Sequence, residues 1–129
     1  MEFLVVGVPI PQGSMRHIGN GVIVSKTPKL KDWRKLVAEE AVKLFGEPGI
    51  DQPVSVTVIF NLPKPRTSKR STPTVPPDLD KLQRAIGDAL SIDCKILKDD
   101  AVITEWHAYK RYDPNPSALI RIEIVGDSR

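Results

Sequence analysis

Residues 54–60, VSVTVIF, decide the fold. Val54, Val56, Val58 and Phe60 fall on one side of an alternation, and Ser55 and Thr57 on the other. A period of two is the pattern of a strand with one face on a core. Upstream, Thr27-Pro28 opens a helix, with Thr27 as N-cap and Pro28 at the first helical position. Leu30, Trp33, Val37, Ala41, Leu44 and Phe45 follow as one apolar stripe, and Gly46 and Pro48 stop it. Before that helix, residues 2–8 (EFLVVGV) read as a β-branched strand ended by Pro9 and Pro11. Residues 12–21 are glycine-rich and polar, which predicts a loop, and 22–24 (VIV) predict a short strand.

Downstream, residues 62–77 (LPKPRTSKRSTPTVPP) hold five prolines, four basic residues and no acid, so they predict an extended loop. Over 79–90, Leu79, Leu82, Ile86, Ala89 and Leu90 form the apolar face of a second helix. Residues 91–100 read as a connection. Two strands, 101–112 and 118–125, follow around the turn DPNP at 113–116, and Ala118, Ile120, Ile122 and Ile124 share one face. This order predicts a single domain over 1–129 of the α/β (α+β) class, a mixed sheet with two main helices packed on it.

Composition excludes several classes. A chain of 129 residues has room for one core, and 40% hydrophobic with 27% charged residues is not a disordered tail. No apolar run approaches the roughly 20 residues of a membrane span, and the opening MEFLVVGVPIPQG has no secretory-signal pattern. The single cysteine, Cys94, excludes an internal disulfide and a cysteine-rich zinc site. The expectation is a cytoplasmic protein without a membrane partner. There is no phosphate-loop or dinucleotide fingerprint, hence no nucleotide cofactor. His17 and His107 lack the companions of a zinc site. Trp33 belongs to its helix's core stripe, Cys94 reads as inert, and Trp106 and Tyr109 point to opposite faces of a strand. Aromatics are 5%, too few for a base-stacking platform.

Charge is divided along the chain. Residues 1–77 hold 11 basic and 6 acidic residues, and residues 78–129 hold 8 basic and 10 acidic ones. A basic first part suits phosphates, and an acidic second part suits a divalent cation. The acids gather in 77–100, PDLDKLQRAIGDALSIDCKILKDD. Asp78 follows two prolines and takes the N-cap position, and Asp80 lies in the first turn. Capping alone accounts for one such pair, since carboxylates at a helix N-terminus bond free amides and meet the dipole. The second pair, Asp99-Asp100, adds carboxylates from another element, the oxygen-rich set that Mg²⁺ takes. Asp80, Arg84 and Asp88 share one helix face, as surface ion pairs or as a charge-stabilising Arg84 one turn past a metal site.

The block PPDLDKLQRAIGDAL followed by KDDAVI resembles the signature of RusA-type Holliday junction resolvases, Asp-x-Asp-Asn with a later Lys, Asp-Ala-Leu and Asp-Asp-x-Gln-Ile. GVPIPQGSMR resembles that family's opening, and TPKLKDWRKLVAEEA its first long helix. The resemblance implies a homodimeric endonuclease, bacterial, prophage or phage-encoded, that cuts four-way DNA junctions with Mg²⁺, or Mn²⁺ in its place. It puts the metal-binding and catalytic aspartates at Asp78, Asp80 and Asp100, with Asp99 beside them. The family's lysine falls on Arg84, its Asn on Lys81 and its Gln on Val102. Lys64, Arg66, Lys69 and Arg70 in the acid-free loop, with Arg16, are the candidate DNA contacts. The alternatives are a DNA-binding protein whose aspartates only cap a helix, or a nuclease for other branched DNA.

Overall fold

A computed structural model describes residues 1–13, 15–18, 22–25 and 27–126, with the side chains of 14–28 outside the description. Its strands are β1 (Glu2–Val6), β2 (Met15–Ile18), β3 (Val22–Ser25), β4 (Val54–Leu62), β5 (Ile103–Tyr112) and β6 (Ser117–Ile124). Its helices are α1 (Thr27–Phe45) and α2 (Leu79–Asp88). Four strands form one mixed sheet in the order β1-β6-β4-β5, and β2 and β3 form a separate antiparallel pair. β4 runs parallel to β5 and antiparallel to β6. The loop after β4 and α2 together make the crossover that a parallel neighbour requires.

The register lines up core rows across the sheet. Phe3, Ile120, Val58 and Ala108 form one row, and Val5, Ala118, Phe60 and Lys110 the next. Val54, Val56, Val58 and Phe60 are fully buried, as their alternation predicts, and pack with Leu82, Ala85 and Ile86 of α2 and Trp33, Val37 and Ala41 of α1. The outer face has its own rows. Leu4, Leu119, Ile59 and Tyr109 form an apolar belt over all four strands, beside a polar row of Glu2, Arg121, Thr57 and His107. The core cluster includes no residue of that face.

Several boundaries differ from the sequence reading, each for a local reason. The expected loop over 12–21 contains β2, because residues 15–18 pair with 22–25. β1 stops at Val6, where Gly7 takes a φ of 147° and bonds Pro116 through its amide at 3.1 Å. β4 continues to Leu62, whose carbonyl accepts from Asp113 N–H at 2.9 Å. α2 ends two residues early because Ala89–Asp93 widen into a π-helical turn, where Ser91 Oγ donates back to the Gly87 carbonyl at 2.7 Å. The 91–100 connection is partly core, with Ile96 and Leu97 buried, and a 3₁₀ turn at Asp100–Val102 delays β5 to Ile103. β5 and β6 are sequential yet not neighbours, since β4 lies between them.

Within α1, Leu44 is 57% exposed, off the expected stripe. Phe45 takes the contact at that turn, its ring meeting Phe3 edge-on at 5.9 Å. Gly46 closes the helix in the left-handed region, at φ 69°, with its amide on the Val42 carbonyl at 2.9 Å. Ile124 continues the β6 alternation but is exposed near the strand's end. Phe60 and Leu44 therefore predict opposite outcomes on truncation. Phe60→Ala, in a fully buried site, is expected to cost about 3–5 kcal/mol. Leu44→Ala is expected to stay within about 0.5 kcal/mol. Urea unfolding of the two variants beside the parent checks both.

Candidate active site

Asp78 occupies the N-cap position of α2 with the extended backbone usual there (φ −72°, ψ 139°). Its side chain makes no capping hydrogen bond. The capping explanation therefore fails for this residue. The carboxylate is exposed and lies 3.6 Å from the Lys81 ammonium, one turn along. Asp80 stands in the first turn, exposed. The ion pairs that spacing allows among Asp80, Arg84 and Asp88 do not form, and Arg84 is exposed with no ion-pair partner among the described residues.

Asp99 and Asp100 behave differently. Asp99 caps the 3₁₀ turn, with Oδ1 accepting from Ala101 N–H at 3.1 Å. That amide, and then the hydrogen bond with Asp100, hold the Asp99 carboxyl below its ordinary value. The same hydrogen bond with Asp99 is the main reason the Asp100 carboxyl is pushed up, followed by burial and by the charges of Asp99 and Asp88. Opposite shifts of this kind are what one proton held between two neighbouring carboxyls would produce, and their oxygens suit a cation that replaces it. The donor chemistry fits a hard divalent ion.

The four aspartates do not meet at one point. Among the described residues, no three His, Cys, Asp or Glu side chains are placed to hold one metal ion. Asp88, not Asp80, is the charge on α2 felt at Asp100. Eight residues of helix separate Asp80 from Asp88, about 12 Å along the axis. The acids thus form a strip along α2 and the turn before β5.

Three features lie outside what sequence spacing revealed. Arg34 of α1 clamps Asp93 through Nε and Nη2 at 2.7 and 2.9 Å and reaches Asp88 at 3.9 Å. It thereby ties α1 to the far end of the acidic strip across dozens of residues of chain, which no local pattern encodes. The Gln12 amide bonds the Lys81 carbonyl at 2.9 Å, docking the PIPQG segment on the first turn of α2. Lys110 of β5 donates to the carbonyls of Val75 and Pro77, both at 3.0 Å. The Pro76-Pro77 peptide bond is cis.

The basic loop is where the sequence put it. Lys64, Arg66, Lys69 and Arg70 are exposed, and none has an ion-pair partner among the described residues. Arg16 and His17 lie on β2 by their backbone, and their side chains fall outside the described residues. Cys94 is buried, and burial pushes its thiol up, as an inert cysteine requires. Trp106 rests half-buried on the core and Tyr109 is exposed on the outer face, so the two do point oppositely. A groove of about 930 Å³ along α1 between Leu30, Val42 and Cys94 includes none of Asp78, Asp80 and Asp100. No helix among the described residues is long and apolar enough to cross a membrane.

A one-domain α+β fold with an acidic helix mouth beside an unpaired basic loop is a class suited to work on nucleic-acid phosphates. The family model described as endodeoxyribonuclease RusA matches residues 6–123, nearly the whole chain. The chain belongs to that family, whose members are enzymes that cut DNA at internal phosphodiester bonds. No curated protein matches it.

The Asp99–Asp100 pair generates a pH prediction. Asp100's raised value favours the fold at low pH and is lost as it ionises, whereas Asp99's lowered value favours the fold above the carboxylate range and is lost as pH falls. The two oppose, so the coupling shows in the site titration and not in overall stability. In Asp99→Asn, the Asp100 midpoint is expected to fall toward its ordinary value, read from side-chain carboxyl shifts in an NMR titration. An unmoved midpoint would disprove the shared proton.

Proposed function

We propose that this chain is a structure-selective endodeoxyribonuclease that resolves four-way DNA junctions in recombination and repair, using Mg²⁺, or Mn²⁺ in its place. The observation that carries the reading is Asp78. It holds a helix N-cap position without capping, shortly after a loop whose four cations have no ion-pair partner among the described residues. Family membership supplies the reaction class, and branched DNA is the substrate that class favours.

In this reading Asp78, Asp80 and Asp100 would hold the metal, which requires the acidic strip to draw together around the ion, with Asp99 beside Asp100 at its edge. Bound there, the ion supplies a Lewis acid for the phosphate and a more acidic water. The chain's own residues do the rest. Lys64, Arg66, Lys69, Arg70 and Arg16 dock the phosphate backbone without reading bases. Arg84, exposed and without an ion-pair partner among the described residues, meets the charge that develops on the phosphate as a permanently protonated donor. It stabilises charge and does not deliver a proton.

Resolution needs cuts in two strands related by a two-fold axis, and one chain carries one acidic strip. We assign a homodimer, with the outer sheet face as its contact. Leu4 and Tyr109 in its apolar belt are 49% and 47% exposed, and the core cluster draws nothing from that face. A two-fold contact presents the same patch from both copies, which a belt across a whole sheet provides.

Two measurements check this. A labelled four-way junction, beside the matching linear duplex, is expected to receive paired symmetric nicks with Mg²⁺ or Mn²⁺ and none with chelator. Asp80→Asn is expected to abolish the nicks while leaving junction binding intact. Full cleavage by Asp80→Asn would remove the metal assignment, and tight binding without cleavage by the parent would favour a non-catalytic DNA-binding role. Cleavage of forks or flaps in preference to the junction would redirect the substrate. In the second measurement, Lys69→Ala/Arg70→Ala is expected to weaken binding to every DNA sequence alike. It should also flatten the dependence of log K on log salt by roughly 2, about 0.9 for each phosphate that the variant no longer neutralises.

A further inference from the structure

Strand alternation puts Trp106, Ala108, Lys110 and Tyr112 on the face of β5 that looks toward the helices. Lys110 shares its row with Val5, Ala118 and Phe60, all buried. Lys110 itself is half-buried, and its ammonium reaches acceptors close to the surface. Among the described residues Lys110 has no carboxylate partner. Its acceptors are the carbonyls of Val75 and Pro77, both at 3.0 Å. Proline has no N–H, so the 75–77 segment has few backbone donors with which to anchor itself, and its carbonyls are the groups left. The next residue, Asp78, is fixed from its other side by its own carbonyl, which accepts from Leu82 N–H at 3.1 Å.

We propose that Lys110 is a positioning residue for Asp78. Its ammonium fastens the chain at Pro77 while α2 fastens it at Asp78, so the carboxylate is aimed by the backbone on both sides and needs no capping bond to hold it. The same bonds anchor the end of the basic loop to the sheet. The consequence for catalysis rests on the reading of Asp78 as part of the acidic site. The anchoring itself does not.

The experiment compares the full-length parent with Lys110→Met, which keeps the length and loses the donors, and with Lys110→Arg, which can still donate to two carbonyls. The first readout needs neither metal nor DNA. Trypsin cuts after Arg66, Lys69 and Arg70, mapped by mass spectrometry, are expected to speed up several-fold in Lys110→Met and return toward the parent rate in Lys110→Arg. The second is single-turnover cleavage of a bound four-way junction across a Mg²⁺ titration. Lys110→Met is expected to lose on the order of tenfold or more in rate on bound junction and to need more Mg²⁺ for half-maximal cleavage, a loss larger than any weakening of junction binding in chelator. Parent-like trypsin rates in Lys110→Met would overturn the anchoring. Faster trypsin cutting with parent-like cleavage and Mg²⁺ dependence would overturn the positioning of Asp78. If Lys110→Met does not fold, Lys110→Arg decides: a trypsin rate and Mg²⁺ midpoint close to the parent's support the proposal, and a loop as exposed as in unfolded chain overturns it. A parent that cuts no junction at all would fail the functional reading and leave the trypsin result standing as the test of the anchor.

Discussion

β4 is the constraint on which the other parts depend. It pairs on both edges, parallel to β5 and antiparallel to β6, and sends four fully buried side chains into the core. A parallel neighbour cannot be reached by a tight turn. The chain must leave the sheet after Leu62, cross its face and come back, and everything chemically distinctive lies on that excursion: the basic loop, Asp78, α2 and the 99–100 pair. The site is therefore a product of topology. A hairpin between β4 and β5 would have no room for it.

The excursion is held at three places by different physics. Leu82, Ala85 and Ile86 fasten the middle of α2 by burial, with Gly87 leaving a ring-width approach to Trp106. Arg34 fastens the far end by a bidentate charge-assisted clamp on Asp93. At the near end an ammonium holds two carbonyls and the backbone amide of Gln12 holds the carbonyl of Lys81. The polar fastenings sit at the two ends, where the acidic groups are, and the apolar one sits between them.

Much of this was legible in the sequence because it is local. The alternation of 54–60, the stripe of 27–45 and the acid-free proline loop each carry their physical cause within a few residues. Asp78 was legible as an N-cap position, but not as an N-cap that fails to cap, because a side-chain rotamer leaves no trace in spacing. β3 was legible at VIV, but its partner β2 was hidden by glycine-rich, polar composition. Lys110 and Arg34 were hidden for another reason. Lys110 reads as an ordinary strand lysine until the register puts it on the inner row, and Arg34 reads as an ordinary helix cation until α1 packs beside the 88–93 turn. The strip of acids, with the Asp88 charge acting on Asp100, depends in the same way on packing between separate elements.

The order of strands also bears on how the protein is made. β6 lies between β1 and β4, so the first strand has no neighbour until the last one arrives. Its residues pair with partners more than a hundred positions away, Glu2 with Arg121 and Val6 with Ser117. Pairings of such separation form slowly, because a long loop must close before they return any stabilisation. A chain emerging from the ribosome can assemble α1 and then β4, α2 and β5, but β1 stays unpaired and one side of β4 stays open until residues 117–124 are out. The basic loop and the helix mouth are synthesised well before the sheet that steadies them is complete. A DNA-cutting enzyme built in this order becomes rigid at its working end only after β6 has emerged and paired.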